Sequence, residues 1–354
     1  MISGLRILLV ADLNAYSKGL GRARVLNDLD VQTTALSHTV SGRTEEGFAS
    51  ISLLDRILWK LGIQRDATRI NRSLIDAAKE VVPHIVWIEK GNMIRPSTLQ
   101  ELRRIAPDTV LVSYSEDDMF LAHNRTRAYL KSLPFYDCVF TTKAPNVDAA
   151  ELPALGARRV IAVDKAYDPH MHYPIEVSEF DVARYGAEVG FVGSYEEARA
   201  RSLAYLAENG ITVRVWGNGW EALGARPPGL NIEGRAVVNT EWELAYTKTL
   251  CSTRINLGFL RKLNRDTQTD RSVEVPACGA FMLAERSDDH LRLFGEGQEA
   301  AFFESDEKLL EKVRYYLAHE QERAAIARAG RQRCLDAGYS ETERMQFMIG
   351  QCRV

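Results

Sequence analysis

Long hydrophobic runs are missing from this chain of 354 residues. A membrane-spanning helix needs about 18 or more consecutive apolar residues, whereas the best apolar runs here, such as Val81–Ile88 and Asp108–Tyr114, are as short as β-strands. The start of the chain also lacks the long apolar region of a secretory signal peptide, and no amphipathic basic helix stands out as a membrane-surface anchor. We therefore expect a cytoplasmic protein without a transmembrane segment.

Cysteines are few, and neither sign of charge is in large excess. The five cysteines include no C-x-x-C pair, which indicates reduced thiols and neither a disulfide framework nor a zinc site. Lys and Arg total 45 against 48 Asp and Glu, a net charge of −3, so we expect no nucleic-acid partner. With 45% hydrophobic residues the chain is not disordered, and at roughly 150 residues per domain its length predicts two domains.

Short apolar runs alternate with helix-like segments in both halves of the chain. In Ile7–Ala11 the apolar residues are continuous, as in a strand covered by helices on both faces, so we expect parallel sheets. The predicted fold class is α/β, with two Rossmann-like, doubly wound domains facing a central cleft, because such sheets bind ligands at the carboxyl ends of their strands. The predicted strands are Leu5–Ala11, Val31–Leu36, Ile85–Ile88, Thr109–Tyr114, Cys138–Thr141, Arg159–Val163, Val189–Val192, Val213–Trp216, Asn231–Glu233, Ile255–Leu257 and Phe281–Ala284.

The alternation of strand-like and helix-like segments is interrupted over Asp164–Glu188, where prolines, aromatic rings and acidic residues replace the periodic apolar positions. We place the hinge between the domains there. The predicted units are an N-terminal domain at 1–170, a linker at 171–187, a C-terminal domain at 188–338 and a final helix at 339–354 that we expect to cross back to the first domain.

Two glycine-containing turns are candidate ligand loops. Gly19 and Gly21 follow the opening strand and precede a helix, where backbone can approach an anion closely; an ordinary strand-to-helix turn is an equal alternative. Gly193 and Ser194 follow the first strand of the second half in the same way. Arg199 on the next helix offers the fork that a diphosphate prefers, although a solvated Glu/Arg helix face would look similar.

Two further patterns lie in the second half. Trp216-Gly217-Asn218-Gly219 ends a predicted strand, and its indole could line a pocket or pack in the core, as we expect for Trp220. Asp266 and Glu274 are separated by seven residues, a spacing that two helical turns would bring to similar faces. A carboxylate beside a ribose can accept two hydroxyl hydrogen bonds, and Glu274 suits that role.

Three of these stretches together resemble one family. Gly190–Ser194, Trp216–Trp220 and Arg271–Phe281 are similar to the CgeB-like (spore-maturation-protein-like) branch of the group-1, GT-B glycosyltransferases. The resemblance is strongest over Val189–Leu317. It implies that the C-terminal domain binds a nucleotide sugar and that the N-terminal domain presents an acceptor.

Residue by residue, the resemblance implies that Glu274 holds the ribose, that Gly193, Ser194 and Arg199 lie by the diphosphate, and that Trp216–Gly219 flanks the base. Asp266 stands where the family has its first glutamate. The substitution keeps the negative charge but shortens the side chain by one methylene group. Arg271 adds a second cation near the phosphates, or else pairs with a neighbouring Asp.

Candidates for the chemical step lie in the first half. Asp117 and Asp118 end a predicted strand together with Glu116, and either could be the general base of an inverting transferase; a helix N-cap cluster is an equal alternative. His123 is a weaker candidate for contacting the transferred sugar, since a surface histidine is more common.

The predicted function is hexosyl transfer, without metal or cofactor, from a nucleotide-diphosphate sugar to an acceptor hydroxyl, with UDP-sugar favoured as donor. The alternative is a non-catalytic nucleotide- or glycan-binding module with the same fold. The replacement of the family's first glutamate by Asp266 favours this alternative. An NAD-dependent oxidoreductase is disfavoured because neither half carries G-x-G-x-x-G followed by an acidic residue about 20 positions later. The sequence does not indicate an oligomeric state.

Overall fold

The computed structural model describes residues 2–40, 52–234 and 236–352. Within them the chain forms two parallel sheets of six strands each, so the prediction of two doubly wound α/β halves is confirmed. No helix of the described residues is long and apolar enough to cross a bilayer.

The first sheet has the strand order β2-β1-β3-β4-β5-β6. Side chains of β1 alternate between two buried clusters, with Leu8 and Val10 in one and Ile7 and Leu9 in the other, which explains why this strand is apolar on both faces. The strands are β1 (Arg6–Ala11), β2 (Gln32–Ser37), β3 (Ile85–Glu89), β4 (Val110–Ser115), β5 (Cys138–Thr141) and β6 (Val160–Ala162), and the helices are α1 (Lys18–Asp28), α2 (Leu53–Lys60), α3 (Ile70–Val81), α4 (Pro96–Ile105) and α5 (Arg127–Ser132).

The second sheet has the strand order β12-β11-β10-β7-β8-β9. Its edge strand β12 was not predicted from the sequence. The strands are β7 (Ala187–Val192), β8 (Val213–Trp216), β9 (Leu230–Ile232), β10 (Thr253–Gly258), β11 (Met282–Glu285) and β12 (Ala301–Phe303), and the helices are α6 (Glu179–Tyr185), α7 (Glu197–Glu208), α8 (Ala245–Ser252), α9 (Arg271–Ala277), α10 (Asp288–Leu293), α11 (Asp306–Ala318), α12 (Glu320–Asp336) and α13 (Glu341–Gln351).

Two segments connect the sheets. The segment 171–187 contains helix α6, which begins with a reciprocal capping box between Ser178 and Asp181. Helix α13 packs against α1, and its Met345 and Met348 join the core cluster of the first sheet. The last helix of the chain therefore completes the hydrophobic core of the first half.

The strand orders place a switch point in each sheet, where neighbouring connections leave in opposite directions. It lies between β1 and β3 in the first sheet and between β7 and β10 in the second. In open parallel sheets, ligands bind outside the carboxyl ends of the strands at such points.

Candidate functional site

A cavity of about 240 Å³ lies between the two halves. The loop before α1 and the start of that helix form one wall, and the end of β7, the stretch 237–239, α8 and the start of α9 form the other. The segment between the sheets and the first residue of α13 complete it. Its lining includes Tyr16, Lys18, Gly21, Asp168, His172, Val192, Val237, Asn239, Tyr246, Asp270, Arg271, Glu274 and Glu341.

Glu274 is buried on α9 yet reaches this cavity. Its Oε2 accepts a hydrogen bond from the Tyr246 hydroxyl at 2.8 Å, and its Oε1 lies 3.9 Å from Nε2 of His172. Burial lowers the pKa of His172, so at neutral pH this ring is uncharged. Within the described residues Oε1 accepts no hydrogen bond, and it is therefore available to ligand hydroxyls.

His172 is oriented by the backbone. Its Nδ1 accepts a hydrogen bond from the amide of Asp168 at 3.2 Å, which places the proton of the neutral ring on Nε2, toward Glu274. Its ring meets that of Tyr246 edge-on, with centroids 5.7 Å apart. Both rings thus restrict Glu274 to one orientation.

An apolar wall adjoins Glu274. Val192 at the end of β7 and Val237 line the cavity with Tyr246. A planar base linked to a ribose held at Glu274 would meet this wall. Neither Val192, inside the Gly190–Ser194 motif, nor Val237 was predicted as a wall residue, because apolar residues of a cavity wall look like core residues in a sequence.

A cross-cleft charge network joins the two halves, and we use that name for Lys18, Lys165, Glu116 and Asp270. Nζ of Lys18 lies 2.6 Å from Asp270 and 3.4 Å from Glu116, and Nζ of Lys165 lies 2.5 Å from Glu116 and 3.0 Å from Asp270. Against the effect of burial, Asp270 and Glu116 raise the pKa of Lys18. The start of α1 is therefore bound electrostatically to the start of α9.

Arg271 follows this network and lines the cavity. Its Nε is buried and has no hydrogen-bond partner among the described residues. The predicted structural pair of Arg271 with Asp266 or Asp270 is not among the described ion pairs. A half-buried guanidinium with an unused Nε donor is suited to an incoming anion.

Arg199 is buried beneath the loop that follows β7. Its Nη1 donates to the carbonyl of Ser194 at 2.9 Å, and Nη2 lies 3.3 Å from Glu196. Burial lowers the pKa of Arg199 to about 10, Glu196 opposes the shift, and Arg271 adds to it. Arg199 and Ser194 both lie outside the cavity lining, and their predicted positions by the diphosphate stay predictions.

Gly193 packs against an aromatic ring, and its predicted position by the diphosphate stays a prediction. A Cβ on Gly193 would lie 2.6 Å from the ring of Phe191. Its carbonyl accepts a hydrogen bond from Nε1 of Trp220 at 2.8 Å, which agrees with the packing role predicted for that indole.

The turn Trp216–Gly219 packs against the same loop. A Cβ on Gly217 would lie 1.9 Å from the carbonyl oxygen of Gly193, and the amide of Tyr195 donates to the carbonyl of Asn218 at 2.9 Å. Trp216 is buried. The structure places this turn outside the cavity lining, and the base-flanking position implied by the resemblance stays a prediction.

The first glycine motif is helical rather than a loop. Helix α1 begins at Lys18 because the Oγ of Ser17 accepts a hydrogen bond from the amide of Leu20 at 3.2 Å. Gly19 allows α1 to cross β1, since a Cβ there would lie 2.3 Å from the carbonyl oxygen of Asp12. Gly21 lines the cavity.

Asp266 does not share a helix face with Glu274. It precedes α9, lies outside the cavity lining and forms an ion pair with Lys143, in which both side chains are buried. Nδ2 of Asn264 also donates to it at 2.9 Å. Lys143 follows β5, so this contact joins the two halves.

Each carboxylate of the acidic cluster after β4 forms an ion pair with a different cation. Asp117 lies 2.5 Å from Lys90, which lowers its pKa although burial opposes the shift. Asp118 is fully buried and lies 2.5 Å from Arg265 of the second half. Burial acts to raise the pKa of Asp118, but Arg265 holds it below the usual value. Asp118 is thus an interdomain contact and cannot reach an acceptor as a base in this arrangement.

His123 is exposed on the short 3₁₀ turn Ala122–Asn124 and lies outside the cavity lining. Of the predicted site residues, the structure brings Gly21, Arg271 and Glu274 together around the cavity. The others support it or lie elsewhere.

Comparisons with known proteins agree with this fold. Residues 199–350 match the model of the Glycosyl transferase-like family. Sucrose-phosphate synthase from Thermosynechococcus elongatus is similar in structure with a TM-score of 0.63 at 10% identity, over 98% of both chains. The fold is that of the GT-B glycosyltransferases. The predicted fold class is therefore confirmed, while the CgeB-like branch stays a prediction.

Two further structures share this fold. HepE from Anabaena, solved with UDP and glucose, has a TM-score of 0.58 at 11% identity over 98% of this chain and 100% of its own. An α-glucosyltransferase solved with UDP and a 13-mer DNA has a TM-score of 0.61 at 11% identity over 98% and 99%. No curated protein matches the sequence. Because one neighbour was solved with DNA, the predicted absence of a nucleic-acid partner rests on net charge alone.

Proposed function

We propose that the protein is a glycosyltransferase that moves a hexosyl group from a nucleotide-diphosphate sugar, with UDP-sugar favoured, to an acceptor hydroxyl. The observation that carries the proposal is Glu274, a buried carboxylate with one oxygen free toward an interdomain cavity. The family match over residues 199–350, which includes Glu274 and Arg271, supports it. So do neighbours of the same fold that were solved with UDP.

The donor would span the cavity from the apolar wall, which holds its base, to Arg271, which meets its diphosphate. Glu274 accepts hydrogen bonds from the ribose hydroxyls, and the base lies against Val192 and Val237. The diphosphate then extends toward Arg271 and toward Lys18, which stands at the N-terminus of α1, where the helix dipole favours an anion.

Sugar transfer depends more on electrostatic stabilisation of the leaving group than on covalent catalysis by the protein. As the nucleoside diphosphate departs, negative charge develops on its phosphate oxygens, and Arg271, whose Nε has no partner in the part of the chain that the structure describes, together with the N-terminus of α1 stabilises it there. Approach of the two halves excludes water that would hydrolyse the donor. We propose that no metal takes part, because Glu116, Asp117 and Asp118 each have a cationic partner already.

The first half would present the acceptor. Of the two aspartates predicted as the base, Asp117 keeps a partly exposed side chain, whereas that of Asp118 is fully buried. We therefore place Asp117 on the acceptor side. The described cysteines are all free thiols, which supports a cytoplasmic location.

One observation favours the alternative of a non-catalytic nucleotide-binding module. Asp266 stands in the position of the first family glutamate but is held by Lys143 outside the cavity. Turnover of the donor separates the two functions.

The test is calorimetric titration with UDP, GDP, dTDP, ADP and CDP, followed by release of the nucleoside diphosphate from the matching sugar donor. Hydrogen bonds to a charged group contribute about 1.5–3 kcal/mol, so Glu274→Gln should weaken nucleotide binding about 10- to 100-fold. Tyr246→Phe is the matched control because it removes the neighbouring hydroxyl and keeps the carboxylate. Binding without turnover would support the module, and no binding of any nucleotide would contradict both functions.

A further inference from the structure

Helix α2 exposes an apolar stripe to solvent. None of its residues is buried. Leu53, Ile57 and Leu61 are 72%, 49% and 52% exposed, and their spacing of four residues places them on one side of the helix. Leu54 and Ile63 add to the same exposed surface. Single exposed apolar residues are ordinary, whereas a contiguous group of this kind indicates an interaction surface.

Cations flank this stripe. Arg56 and Lys60 are exposed and each lies three residues after a member of the stripe, so they are its neighbours on the helix surface. Residues 52–72 hold five Lys or Arg and two Asp, a net charge of +3 in a chain whose net charge is −3. Apolar side chains bordered by cations match an anionic lipid surface, where the former enter the acyl boundary and the latter meet phosphates.

The stripe lies near the acceptor side of the cleft. Helix α2 belongs to the connection that leaves the carboxyl end of β2, and such connections share the sheet edge at which ligands bind. The carbonyl of Gly62 accepts a hydrogen bond from the amide of Arg127 at 2.8 Å. Arg127 begins α5, in the connection after β4 that also contains Asp117.

We propose that α2 docks the protein onto an anionic bilayer surface and brings the acceptor side of the cleft to the lipid. No amphipathic basic helix stands out in the sequence, whereas the fold leaves the apolar and basic side chains of α2 exposed. An eight-residue apolar and basic segment gives no sign in the sequence of which side it exposes, and only its burial in the fold could show this. The surface is independent of the nucleotide site, so either proposal can fail without the other.

The test is co-flotation of the full chain with vesicles of phosphatidylcholine alone and of an equal mixture with phosphatidylglycerol. We expect binding to the mixed vesicles that weakens with salt. Arg56→Gln with Lys60→Gln should weaken it about 30-fold, since each cation near an anionic surface contributes about 1 kcal/mol. Ile57→Glu should abolish it, whereas Leu335→Glu, at an equally exposed position (49%) on α12, should leave it unchanged.

Circular dichroism spectra and melting temperatures should be unchanged in these variants, which shows that they remain folded. The proposal is overturned if the wild-type chain floats with neither vesicle or if Ile57→Glu binds as well as wild type. It is also overturned if light scattering shows a dimer that Ile57→Glu dissociates, because the stripe would then be an interface between two copies.

Discussion

Removal of one partner from the buried ion pair between Lys143 and Asp266 should strongly destabilise the protein. Their side chains are 2% and 7% exposed. Removing one partner of a buried pair costs about 3–5 kcal/mol because the other charge is left unpaired. We therefore expect Lys143→Met and Asp266→Asn each to be strongly destabilising and the double variant to recover most of the loss.

Calorimetric unfolding measures this directly. At about 2–4 °C per kcal/mol for domains of 150–250 residues, each single variant should lower Tm by roughly 6–20 °C. Lys308→Met is the matched control, because Lys308 pairs with Glu311 on an exposed helix face and such pairs contribute about 1 kcal/mol or less. If Lys143→Met proves as mild as this control, or if the two single effects simply add, the reasoning is refuted.

The remaining predictions concern packing, pH and the carboxylate at the cavity. Gly19→Ala should lower Tm because its Cβ would lie 2.3 Å from a backbone oxygen, whereas Gly350→Ala, with no atom within 4 Å, should raise stability by about 0.5–1 kcal/mol; paired melting curves check both. Burial raises the pKa of Glu341 from 4.5 to about 6, so its contribution to stability is full below pH 4.5 and is lost as the pH rises through 6, about 2 kcal/mol in all. Unfolding free energies should show that Glu341→Gln lacks this fall. Tyr246→Phe should weaken UDP binding less than Glu274→Gln, and calorimetry would contradict the account if the order were reversed.

Local patterns predicted much of the fold. The continuous apolar run of β1 indicated a strand buried on both faces, since only that environment suits it. The strand β12, Ala301–Phe303, was not predicted, although the equally short strands β6 and β9 were.

The candidate site was predicted in part. Glu274 and Arg271 could be found because their charges lie in a motif beside a buried strand. The positions of Asp118 and Asp266 could not, because their partners, Arg265 and Lys143, are distant in the chain and meet them only when the halves come together.

A crystal structure with bound UDP tests the central claim most directly. The account predicts the ribose hydroxyl oxygens within about 2.5–3.0 Å of Oε1 of Glu274, the uracil against Val192 and Val237, and the diphosphate near Arg271. UDP seated on the Trp216–Gly219 turn, with Glu274 untouched, would contradict it.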